Sequence, residues 1–203
     1  MNKFGKVALL KEAWALFKKN LNVVVMLIGV YFAYYIAQYV STYLFGNTQI
    51  AFIMSLVFIV ISLILQLGSY NLMLKLVDGK NPQIKDLYQY PDMLMKIIRN
   101  IIAGILVGLI VAGGFILLII PGIYLAIRLM FYTYYIVDKD AGIIDSIKMS
   151  WNLTKGGVIN LFLLSVLFFI VNILGLIAFG IGLAVTLPLT FLATALLYRK
   201  FQS

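Results

Sequence analysis

Residues 21–45, LNVVVMLIGVYFAYYIAQYVSTYLF, carry no charged side chain, and neither do 50–74, 101–120 or 158–197. An uncharged run of about 20 residues is the length of helix that crosses a hydrocarbon core of about 30 Å. In lipid every backbone polar group must be satisfied internally, so such runs have few options beyond the α-helix. Composition points the same way: 64% of the chain is hydrophobic, 11% is charged and the mean hydropathy is +1.06. Soluble domains carry about a quarter of their residues as charges. The length of 203 residues is that of a single domain.

The uncharged runs predict an all-α, polytopic fold of six transmembrane helices arranged as three hairpins. The spans are expected at 21–45, 50–74, 101–120, 121–137, 158–177 and 180–197, after an amphipathic interfacial helix at 4–19. Between the second and third spans, 75–100 reads as a polar loop. Pro121 and Gly122 read as a tight structural turn that sends the chain back, so that 101–137 either crosses twice or forms a re-entrant pair. The bend between the last two spans falls near GLIAFGIG at 175–182. The start, MNKFGKVALLKEAWALFKKN, lacks the apolar core and small-residue cleavage site of a secretory signal.

Every Lys and Arg except Arg128 falls at the N-terminus, in 75–100, in 138–157 or at the C-terminus, all on one side of this threading. The opposite connections carry no charge, and the positive-inside rule puts both termini in the cytoplasm of a cell-membrane protein. The net charge of +9 is then a one-sided field for anionic lipid headgroups, not a nucleic-acid surface.

Two of these cytoplasmic segments match in register: LKEAWALFK at 10–18 and IKMSWNLTK at 147–155. On a helix, Val7, Leu10, Trp14 and Phe17 share one face, as do Ile143, Ile147 and Trp151, with Lys11, Lys18 and Lys148, Lys155 one turn either side of each Trp. This suits a device that puts Trp at headgroup depth and Lys on lipid phosphates, and equally suits ordinary interfacial anchoring. Asp140 reads as the N-cap of the second helix, and Gly156-Gly157 as its bend into the next span. The middle third keeps the same plan without the Trp. Small-residue ladders, Gly104/Gly108/Ala112 and Ala33/Ala37/Ser41, provide close packing within one chain, against a second copy or against another membrane protein.

The stretch LLIIPGIYLAIRLMFYTYYIVDKDAGIIDSIKMSWNLTKGG, 117–157, resembles a bacterial integral-membrane family that includes the membrane domain attached to some glycerophosphoryl diester phosphodiesterases. Pro121-Gly122-Ile123-Tyr124, Arg128, the acidic turn Asp138 to Asp140, Ser150-Trp151 and Lys155-Gly156 carry the resemblance. It implies a membrane module rather than the phosphodiesterase activity.

The residues themselves point away from an enzyme. There is no Cys or His, and the seven acids, Glu12, Asp78, Asp86, Asp92, Asp138, Asp140 and Asp145, are dispersed through loops. No catalytic, cofactor or metal residue is expected. The reading is a non-catalytic, lipid-interacting or scaffolding protein, with a small-solute transporter and an accessory subunit of a membrane complex as alternatives. Arg128, an isolated cation in an apolar run, either snorkels toward outer phosphates or faces the bundle interior beside Tyr124, Phe131 and Tyr135, the orientation expected here. Its partners there would be Gln38, Gln66, Asn71, Asn160, Asn172, tyrosine hydroxyls, freed carbonyls near Pro121 or Pro188, or a bound anion.

Overall fold

A computed structural model describes residues 5–46, 48–177 and 182–202. Among them the chain is helical, without strands: α1 (Lys6–Lys19), α2 (Leu21–Phe45), α3 (Gln49–Val77), a 3-10 helix (Ile84–Leu87), α4 (Met93–Leu117), α5 (Ile119–Leu129), α6 (Tyr132–Lys139), α7 (Ile143–Leu153), α8 (Val158–Ile177) and α9 (Leu183–Gln202). Six stretches are long and apolar enough to cross a membrane: α2, α3, α4, Ile119–Lys139 taken together, α8 and α9. The fold is compatible with a multi-pass membrane protein. Parts of three expected features lie outside the described residues: the start of helix 4–19, the 175–182 bend, and the start of the 180–197 span.

Neighbouring long helices pack as α2 on α3, α4 on α5 and α8 on α9. The core sits where α3, α6 and α9 meet, and there Leu67, Leu72, Met73, Phe131, Tyr134, Leu197 and Tyr198 are buried. Tyr134 stacks on Tyr198 at 5.0 Å between ring centroids and meets Tyr70 edge-on at 4.7 Å. Around this core one packing pattern occurs three times. The 3-10 helix rests on α3, α7 on α6, and α1 on α9. The ends of the three central helices are joined by Arg199, whose Nε and Nη2 reach the two Asp78 carboxylate oxygens at 2.7 and 2.8 Å while Nη1 reaches Asp138 at 2.7 Å.

Several expectations are corrected. The turn after α4 is made by Leu118 in extended conformation, not by Pro121-Gly122. Both residues lie inside α5, where Pro121 sits in the first turn and its missing N–H costs no hydrogen bond. Gly122 serves close approach instead: a Cβ there would lie 2.4 Å from the Phe115 ring, and one on Gly114 would lie 3.0 Å from the Gly122 Cα. The polar loop ends at Asp92 rather than at residue 100, because Lys96 and Arg99 join α4 and bond to the end of α6. Lys96 Nζ donates to the Val137 carbonyl at 3.1 Å, and Arg99 to the Asp140 carbonyl and carboxylate, both at 2.9 Å.

Asp140 is accordingly the left-handed C-cap of α6, and Gly142 precedes α7 in its place. Gly156, at φ +77°, does supply the bend into α8. The buried faces of the two matching helices are also shifted from those expected. α1 buries Leu9, Ala13 and Phe17, and α7 buries the aligned Ser146, Ser150 and Thr154. These are rows of every fourth residue, the ridge that seats in a helix groove. Val7, Trp14 and Trp151 therefore remain exposed. Of the small-residue ladders, a Cβ on Gly104 would lie 3.2 Å from the Tyr132 hydroxyl, whereas one on Gly108 would meet nothing within 4 Å.

Candidate functional site, a buried arginine at a helix break

The segment Ile119–Lys139 is interrupted at Met130-Phe131, although its sequence after Gly122 contains neither Pro nor Gly. A break frees a backbone carbonyl and an amide, and both are taken up by α7. Ser150 Oγ donates to the Arg128 carbonyl at 3.0 Å and accepts from the Phe131 N–H at 3.1 Å. Thr154 Oγ1, one turn on, reaches the same Arg128 carbonyl at 3.1 Å and the Ser150 carbonyl at 3.0 Å, and shares its one hydrogen between them. Both hydroxyls are fully buried. Side chains that re-satisfy freed backbone groups are what allows a non-helical residue at membrane depth.

This clasp sets Trp151, carried between the two hydroxyl residues, against the Arg128 side chain. The guanidinium carbon lies 4.0 Å from the Trp151 ring centroid and 5.8 Å from that of Tyr124. Tyr124 meets Trp151 edge-on at 6.0 Å. Arg128 is only 3% exposed, and its Nε is buried without a hydrogen-bond partner. Among the described residues no carboxylate pairs with it: Glu12 pairs with Lys200, Asp86 with Lys75, Asp140 with Arg99, and Asp78 and Asp138 with Arg199.

The expected hydrogen-bond partners of Arg128, namely Gln38, Gln66, Asn71, Asn160, Asn172 and the tyrosine hydroxyls, accept nothing from it among the described residues. Its setting is aromatic, but not the aromatic face expected. The break rotates Phe131 and Tyr135 away to Tyr198, with ring centroids at 6.0 and 5.3 Å, so only Tyr124 stays beside Arg128. Lys148 and Trp151 line a cavity of about 320 Å³ with Ile110, Leu129, Ile147 and Asn152. Lys155 is exposed one turn beyond.

Lys11, Trp14 and Lys18 form no part of this site. They lie on α1 against α9, where Trp14 stacks on Phe17 at 5.3 Å and Lys18 Nζ stands 5.9 Å from the Trp14 ring. The residues that sequence reasoning passed over are Ser150 and Thr154. A signal existed: the repeat places them opposite Ala13 and Phe17, so polar residues replace apolar ones on a face that stays buried.

The charged loop 78–92 is organised separately. Burial alone would raise the Asp86 carboxyl, but the Lys75 ammonium at 2.7 Å and the Gln83 N–H at 2.7 Å outweigh it and hold it below the usual carboxylate range. The 3-10 helix bearing Asp86 approaches α3 at Gly68, where a Cβ would lie 1.9 Å from the Leu87 carbonyl oxygen.

No curated protein and no solved structure is significantly similar to this chain. A family model described as a domain of unknown function (DUF7847) matches residues 92–199, which include Tyr124, Arg128, Ser150, Trp151 and Thr154. That match spans more than half of the sequence, and the chain belongs to the DUF7847 family.

Proposed function

We propose that this is a non-catalytic, lipid-interacting protein of the cytoplasmic membrane, in which Arg128 and its aromatic partners hold an anionic group of the phosphate class. In this reading the long helices form three membrane hairpins, both termini are cytoplasmic, and α1 and α7 lie at the inner interface with Trp14 and Trp151 outward. The one-sided basic residues and the exposure of both tryptophans support that placement.

The observation that carries the reading is the uncompensated charge of Arg128. A desolvated cation–π contact contributes about 2 kcal/mol. Burying an unpaired charge costs several kcal/mol. The aromatic contacts alone do not offset that burial, whereas an anion beside the guanidinium would, and a planar fork of donors matches phosphate. Lys148, which lines a cavity together with Trp151, is a second cation near that ring.

The test compares Arg128→Leu with Arg128→Lys in protein purified with its native lipid, scoring retained anionic lipid by mass spectrometry. Leu should lose most of the retained phospholipid, and Lys, which keeps the charge without the fork, should retain part of it. Unchanged lipid in the Leu variant would show that Arg128 holds no anion. A transporter is the second reading because Pro188 lies within α9, inside a span. Solute flux in reconstituted liposomes separates it from a binding role.

A further inference from the structure

Between α2, α3, α8 and α9, away from Arg128, lies a cavity of about 660 Å³, within the range that takes small molecules. No charged residue lines it. Phe32, Tyr35 and Leu187 on its rim are 66%, 61% and 52% exposed, so it opens sideways along the apolar helices. Its polar lining consists of Tyr31, Ser69, Asn172, Thr190 and Thr194, besides the rim hydroxyl of Tyr35.

Apart from Tyr35 on the rim, the hydroxyl hydrogens of that lining are committed within the protein. Ser69 donates to the Leu65 carbonyl at 2.7 Å, so the 3.1 Å contact between Tyr31 and Ser69 has Tyr31 as donor. Thr190 donates to the Thr186 carbonyl at 3.0 Å, and Thr194 to the Thr190 carbonyl at 2.8 Å. What these groups have left to offer is lone pairs. Asn172 donates from Nδ2 to Thr190 Oγ1 at 3.5 Å and adds an Oδ1 that is buried without a partner. Pro188 has no N–H, which leaves the carbonyl of Ala184, another lining residue, without its helical donor. A buried acceptor without a donor is costly, and a ligand that lacks the donor is rejected for that reason.

From this excess of acceptors we propose that the groove binds an amphiphile consisting of an apolar chain with a hydrogen-bond-donating head, an alcohol or a protonated amine. An anionic headgroup would face lone pairs and no cation. An ammonium would find the acceptors and the ring faces of Tyr31 and Phe191 in the same lining. The site shares no residue with the Arg128 site and relies on that reading only for the membrane setting.

The probe is a dodecan-1-ol carrying a photoreactive diazirine in its chain, compared with its methyl ether, on the full chain in phosphatidylcholine nanodiscs. Cross-linked peptides are mapped by mass spectrometry. The alcohol should label α8 and α9 around Asn172 and Leu187 saturably, displaced by dodecylamine and not by laurate, and the ether should bind about tenfold more weakly, equivalent to about 1.4 kcal/mol. Asn172→Leu should weaken the alcohol by a similar factor with little change in thermal stability, since it removes an unpaired acceptor together with only a long 3.5 Å donation to Thr190. Leu187→Trp, at an exposed rim position, should block labelling by filling the groove. Equal labelling by alcohol and ether, or labelling that survives Leu187→Trp, would overturn the proposal. Arg128→Leu should leave this labelling intact, so loss of the phosphate site and loss of the groove are distinguishable.

Discussion

Two arginines of this chain have opposite surroundings. Arg199 bonds to two carboxylates, Asp78 and Asp138, at a partly exposed helix end, whereas Arg128 is buried beside two aromatic rings with no carboxylate. Sequence alone singled out Arg128, because a lone cation in an apolar run is rare and costly. It did not supply the partner: Trp151 lies in a different helix, and only the Ser150 and Thr154 bonds bring it there. Gly68 was equally silent, since the demand for a missing side chain comes from Leu87 crossing at close range. The same crossing fixes Asp86 beside Lys75. Because the Asp86 carboxyl is held below its ordinary range, the ion pair should stabilise fully above the unfolded value of about 3.9 and fade as pH falls through the lowered folded one. Thermal unfolding of purified protein, followed from about pH 6 down to about pH 3, should show a loss of stability that Asp86→Asn already displays in part at pH 6 and that then changes less with pH.

At the level of elements, the long helices were legible because uncharged length dictates them. Their interruptions were not. Pro121-Gly122 reads as a breaker from composition, yet a proline in the first turn of a helix breaks nothing. The true break at Met130-Phe131 has no local signal, since it is made from outside by two hydroxyls. That dependence sets an expectation for Ser150→Ala, which leaves the buried Phe131 amide unpaired and should cost about 1–3 kcal/mol. Thr154→Val should cost about 1 kcal/mol or less, because Ser150 still serves the Arg128 carbonyl. As both hydroxyls share that carbonyl, the double variant should depart from the sum of the single effects. Unfolding in detergent measures all three. Tryptophan fluorescence should shift in the same variants as Trp151 loses its fixed place over Arg128.

Over the whole molecule, the match between 10–18 and 147–155 pointed to repeated units, and the middle third also lays an element, the 3-10 helix, on a core helix, α3. That third was hard to read because Pro82 and Pro91 bracket a 3-10 helix where the others have an α-helix. The orientation reading can be tested on the same scale. The chain has no cysteine, and Thr48, Lys80 and Asn152 are all exposed. Of Thr48→Cys, Lys80→Cys and Asn152→Cys, only the first should react with an impermeant thiol reagent applied outside intact cells, and labelling at position 80 or 152 would reverse the topology.

The docking of α1 on α9 bears on timing. Glu12 and Lys200, which pair across it, are 188 positions apart. A chain emerging from the ribosome at about 5–20 residues per second threads its first spans long before α9 exists. Until then the face formed by Leu9, Ala13 and Phe17 has no helix to receive it. Contacts so distant in sequence carry the largest loop-closure penalty and form late. Maturation thus ends with α1 waiting for the far end of its own chain, and a nascent protein held just short of α9 is left with that face uncovered.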